Sequence, residues 1–112
     1  GHRAETFVAW HLLKAVEGWT DLGLGQFELS YIRTKQKKEV DFLVIRDRKP
    51  WLLVEVKKAN TVISSALTAF HRQLKTAHAF QVVLNLPFES IDSFEHTDPV
   101  VVPAKTFLSQ LL

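Results

Sequence analysis

Glu39-Val40-Asp41-Phe42-Leu43-Val44-Ile45-Arg46-Asp47-Arg48-Lys49-Pro50-Trp51-Leu52-Leu53-Val54-Glu55-Val56-Lys57 decides how the rest of the chain is read. Val40 and Phe42 to Ile45 form one apolar run, and Trp51 to Val54 with Val56 form another, separated by the turn-forming residues Asp47 to Pro50. Runs this short and this apolar read as strands of a sheet covered on both faces. Asp41 and Glu55 interrupt them. A carboxylate between core residues is costly unless something answers its charge. Glu55 and Lys57 lie two residues apart and therefore on one strand face. A divalent cation between Asp41 and Glu55, with the Lys57 ammonium beside it, is the compensation these residues suggest.

That compensation requires Asp41 and Glu55 to share a face. Opposed residues of an antiparallel pair do so, and Asp41 opposes Glu55 only if paired residue numbers give an even total. A plain four-residue loop from Asp47 to Pro50 gives an odd total. The sequence therefore predicts a three- or five-residue effective loop, or a bulge, between the two strands.

Working outward, Ala4 to Val16 reads as a helix with Phe7, Val8, Trp10, His11, Leu12 and Ala15 on a broad apolar side, ending near Glu17-Gly18. Glu5 falls on its first turn, where the helix dipole favours a carboxylate whether or not it has a further role. Phe27 to Arg33 alternates as a strand. Thr34 to Lys38 then forms a polar turn whose lysines, Lys35, Lys37 and Lys38, make a basic rim with Arg33 near Asp41. A hairpin tip is ordinarily basic only because it is solvated; beside acids, contact with a phosphate backbone becomes the better reading. After Lys58, a helix capped by Ser64 or Ser65 should run to about His78. A buried strand should follow from Phe80 to Asn85, joined through a right-handed crossover to a parallel neighbour. Pro99 to Pro103 reads as a short edge strand and Ala104 to Leu112 as a closing helix.

Composition narrows the class. With 112 residues, 46% of them hydrophobic, including three Trp and eight Phe, the chain carries enough apolar material for one folded domain, residues 1–112. Absence of cysteine excludes disulfides and thiolate zinc sites and points to a reducing cytoplasm. No apolar run approaches the roughly 18 residues needed to cross a bilayer, so no membrane partner is expected. The net charge of +2 and pI near 9.1 are compatible with a polyanionic partner. There is no nucleophile elbow, phosphate-cradling glycine loop or zinc-ligand spacing. The chain opens on Gly1-His2 almost inside its first helix, which suggests a C-terminal fragment of a longer protein. Self-association stays open.

The order Glu39-Val40-Asp41, then Glu55-Val56-Lys57, resembles the metal-dependent PD-(D/E)XK nuclease superfamily. Arg3-Ala4-Glu5 at the start of the first helix resembles the helix-borne Glu of its Holliday-junction-resolvase and RecB-like branches. More closely, the chain is similar from Glu5 to about Asn85 to the nuclease-like domain of unknown function that ends a family of prokaryotic AAA-type ATPases. The resemblance implies an α/β, restriction-endonuclease-like core: a central mixed sheet of four to five strands flanked by helices. It further implies hydrolysis of DNA with Mg2+ or Mn2+, and an ATPase domain upstream.

By the same resemblance, Asp41 and Glu55 ligate the metal with the Val56 carbonyl, Glu5 adds a further acid, and Lys57 assists the attacking water. Gln73 resembles the glutamine of the RecB-like Gln-x-x-x-Tyr motif, although Ala77 stands where the tyrosine belongs. Arg33, Lys35, Lys37, Lys38 and Lys58 are the expected contacts to DNA. The alternative is a catalytically silent nuclease fold that binds DNA or mediates assembly with the ATPase.

Overall fold

The computed structural model describes residues 2–33 and 39–111. Lys35, Lys37 and Lys38 of the expected basic rim lie outside the described residues. Five strands form one mixed sheet in sequential order: β1 (Phe27–Arg33), β2 (Glu39–Arg46), β3 (Lys49–Lys57), β4 (His78–Val83) and β5 (Val100–Pro103). The first three are antiparallel and the last three parallel. Helix α1 (His2–Asp21) precedes the sheet, α2 (Ser65–Leu74) crosses from β3 to β4, and α3 (Ala104–Ser109) follows β5. This is the α/β architecture the resemblance implied, helices flanking a mixed sheet, with the parallel crossover that the strand-helix-strand order predicts.

Alternation along the strands divides the core between the two faces. Leu52, Val54, Val44, Phe80 and Val82 pack with Val8, Leu12, Ala15 and Trp19 of α1 and Phe107 of α3. Leu43, Leu53 and Ala79 pack on the other face with Leu67 and Phe70 of α2.

Helix α1 runs on past the expected stop at Gly18, because Trp19 falls on the same buried stripe as Leu12 and Ala15. Its end lies at Gly23. That residue adopts φ 79; its N–H donates to the Thr20 carbonyl, and the Leu24 N–H donates to the Trp19 carbonyl. This pair of bonds and the left-handed glycine make a Schellman end, for which Gly23 and not Gly18 is the glycine needed. Helix α2 stops short of the expected His78. Lys75 turns left-handed at φ 55, and His78 already opens β4. Nothing in the sequence marks this stop, since a lysine stands where glycine is usual.

The β2–β3 hairpin is tighter than the Asp47 to Pro50 turn the sequence suggested. Arg46 pairs with Lys49, leaving only Asp47 and Arg48 in the loop, at φ 50 and 68. Positive φ at both central residues matches a two-residue turn to the twist of its strands. Gln26 secures it, donating its N–H to Asp47 Oδ1 (2.9 Å) and accepting from the Asp47 N–H (2.8 Å). Gly25, at φ 146, is required there: a Cβ would sit 3.3 Å from the Asp47 carboxylate oxygens. The register shifts once, between Val44 and Ile45. Ile45 pairs with Pro50, Val44 with Leu52, and Trp51 is the extra residue. This is the expected bulge, and it turns the odd total set by the loop into an even one.

Candidate functional site

Beyond the bulge, Val44–Leu52, Leu43–Leu53 and Phe42–Val54 pair in register, and the described ladder ends there. The next step would set Asp41 opposite Glu55. Instead, the Asp41 side chain enters the ladder: its Oδ2 accepts the Val56 N–H at 2.7 Å. A residue's N–H and C=O leave a strand on the same side, so the Val56 carbonyl also faces the gap where β2 leaves β3. On the other edge of β3, the Lys57 carbonyl accepts the Leu84 N–H at 3.0 Å.

Glu55 is buried, and its Oε2 has no hydrogen-bond partner among the described residues. Its Oε1 lies 3.9 Å from Nζ of Lys57, a long contact to a side chain that is 37% exposed. One carboxylate oxygen is therefore both desolvated and unanswered, an arrangement costly by about 1–3 kcal/mol or more for a charged group. The pKa of Asp41 is raised from its ordinary value, chiefly by burial. The Val56 N–H opposes that, the negative charges of Glu5 and Glu55 reinforce it, and Lys57 opposes it again. Four side chains from three elements thus act on one another here.

Residues of this kind fit a cation held by two carboxylates, Asp41 and Glu55, with the Val56 carbonyl turned to the same gap. Glu5, the further acid expected at the metal, comes from α1. Among the described residues no group of three or more His, Asp or Glu is placed to hold a metal ion. Glu55 shares the Leu53 face, on the α2 side, whereas Glu5 rides on α1 over the opposite face. Glu5 reaches Asp41 electrostatically and joins it in lining a cavity of about 190 Å³, together with Tyr31, Arg33 and Glu39. Arg33 is thereby brought to the acids, its guanidinium 5.3 Å from the centre of the Tyr31 ring. Lys58 is exposed immediately beyond β3.

Gln73 is not brought to this site. It is exposed near the end of α2, nine residues along from Ser64, which is roughly 13 Å of helix. Ala77, the position compared with the motif tyrosine, lies outside the helix altogether. The glutamine that does sit beside the acids is Gln81, paired with Glu55 across β3 and β4 and fully buried. Its Oε1 accepts the Ser64 N–H at 2.8 Å, and its Nε2 donates to the carbonyls of Asn60 (3.0 Å) and Val62 (2.8 Å). Gln81 therefore pins the connection from β3 to α2 next to Glu55. A polar residue inside the run Phe80 to Leu84 was the available signal, and sequence reasoning passed over it.

The fold and site define an α/β domain that gathers two carboxylates and a lysine where two strands part. The chain belongs to the family described as a domain of unknown function, DUF4143, whose model matches residues 1–107. Comparison with curated proteins and with solved structures brings no match. Among the described residues no helix is long and apolar enough to cross a membrane.

Proposed function

We propose that this domain is a magnesium-dependent nuclease-like domain that hydrolyses DNA phosphodiester bonds, carried at the end of an AAA-type ATPase. The observation that supports it most is the buried, unpartnered Oε2 of Glu55 beside Asp41 and Lys57 at the parting of β2 and β3. The order of these residues along the chain, which resembles the PD-(D/E)XK pattern, points the same way. A bound Mg2+ or Mn2+ would supply a water of lowered pKa and neutralise charge on the phosphate. Asp41, Glu55 and the Val56 carbonyl would hold it. Lys57, partly exposed on the face of Glu55, directs its ammonium to the attacking water or to the charge that builds on the phosphate. Arg33, at the cavity shared with Asp41 and Glu5, neutralises a neighbouring phosphate.

A specific observation also favours the silent module. Asp41 spends one oxygen on the Val56 N–H and is pushed toward protonation, and among the described residues no third acid completes the set. Cleavage assays on duplex, single-stranded and branched DNA with Mg2+ and Mn2+, run beside Asp41→Ala and Lys57→Ala, separate the two readings. Cutting by the wild type and by neither variant supports the nuclease. Equal DNA binding by all three, with no cutting by any, supports the module.

A further inference from the structure

We infer that the end of the sheet remote from Asp41 and Glu55 carries a second anion-binding groove, formed by Arg46, Lys49, Arg72 and Lys75, that takes the phosphodiester backbone of a nucleic acid. Lys49 opens β3, so it lies six residues, roughly 20 Å of strand, from Glu55. Two surface cavities meet here. One, of about 460 Å³, is lined by Arg46, Lys49 and Lys75; the other, of about 520 Å³, by His71, Arg72 and Lys75. Lys75 belongs to both and makes them one band.

On this band four cations outnumber two carboxylates. None of its four cations forms an ion pair with a described carboxylate, although Asp47 and Asp98 also line the cavities. Asp47 is engaged by the Gln26 N–H. The last turn of α2 draws cations to its carbonyls, which explains Arg72 and Lys75 in part. It does not explain Arg46 and Lys49, which come from the hairpin. Arg46 is also held ready: its Nη2 donates to the Leu24 carbonyl at 3.1 Å, and its guanidinium lies 5.4 Å and 5.6 Å from the ring centres of Phe27 and Trp51. Lys75 occupies a left-handed position that glycine would fill with less strain. A side chain shared by two grooves gives Lys75 a role beyond the helix end.

The choice of ligand rests on the nucleic-acid reading given above; the groove itself does not use its acids. The test is fluorescence anisotropy of a short labelled DNA duplex against salt, without divalent ions, on the wild type, on Lys49→Ala/Arg72→Ala/Lys75→Gly, and on Lys57→Ala. Each lost phosphate contact should reduce the slope of log affinity against log salt by about 0.9, so the triple variant should lose about two to three units of slope and bind at least about tenfold more weakly. Lys75→Gly alone should weaken binding while its melting temperature stays the same or rises, which separates a lost contact from a damaged fold. A triple variant with wild-type affinity and slope would overturn the groove and leave the nuclease reading intact. Weakened binding by the triple variant, with no metal-dependent cutting by the wild type, would sustain the groove and remove the nuclease. A wild type that fails to bind DNA overturns the groove outright.

Discussion

Val56 donates its backbone N–H to Oδ2 of Asp41 across 2.7 Å, and that same carboxylate is pushed toward its protonated form by burial and by the charges of Glu5 and Glu55. The bond holds the side chain in place while the surroundings resist its charge. A group in that position serves the fold less well than it would serve a cation.

Asp41→Asn keeps an oxygen for the Val56 N–H and removes the charge. Because the folded value lies above the ordinary 3.8, the folded state binds more protons than the unfolded state as pH rises past that point, and stability falls. The contribution of Asp41 is fully present below 3.8 and is lost as pH rises through the raised folded value. Without divalent ions, urea midpoints of the wild type should therefore fall relative to Asp41→Asn from acid toward neutral pH. Parallel midpoint curves for the two proteins would show that Asp41 is no more strained when folded than when unfolded.

Glu55 makes a sharper prediction. Its unpartnered Oε2 is a place for a cation, and Glu55→Gln removes the need for one. Wild-type protein should gain thermal stability with Mg2+ or Mn2+, by about 2.7 kcal/mol at a hundredfold excess over Kd. Glu55→Gln should start from a higher melting temperature without metal and gain nothing when metal is added. A wild type indifferent to both ions counts against a metal at this position.

Much of this was readable beforehand, for reasons visible at particular residues. Apolar runs around Val44 and Leu53 announced covered strands, and the parity of Asp41 and Glu55 demanded the irregularity now seen at Trp51. Left-handed backbone at Arg48 and Lys75 was not readable, because neither residue favours it and each is imposed by its surroundings. Hence the sequence predicts a longer hairpin turn and a longer α2 than the structure holds. A motif points to Gln73, while Gln81 gains its role only from the loop that folds over it. Glu5 lies in the first turn of α1, as the sequence predicts, but sequence spacing cannot tell which face of a sheet a helix covers.

Gln81 bears on the site through the β3–α2 connection. Gln81→Leu is close in size but leaves the Ser64 N–H and the Asn60 and Val62 carbonyls without their partner. A loss of about 2–4 kcal/mol is expected from groups abandoned in this way. Hydrogen exchange at Ser64 should quicken more than at Val54 in the core of β3. Uniform loss of protection across both would mean that Gln81 supports the whole domain and not this connection.

Trp51 tests whether the bulge and the acids are mechanically separate. Its ring meets Trp19 at 5.7 Å, Phe27 at 5.6 Å and Phe94 at 6.1 Å, and Arg46 lies over it. Trp51→Ala empties the centre of that cluster and should cost about 3 kcal/mol in urea denaturation, near the lower end for a large aromatic because the ring is only half-buried. The register beyond it is carried by Val44–Leu52, Leu43–Leu53 and Phe42–Val54, none of which uses the indole. Trp51 and Glu55 are four residues, roughly 13 Å, apart along the strand, and share no partner. Trp51→Ala should therefore keep the wild-type thermal gain with Mg2+. Combined with Glu55→Gln, its effect on stability should add to within about 0.5 kcal/mol. Loss of the metal response in Trp51→Ala alone would mean that the bulge holds the acids in register through its packing and not merely through its extra residue.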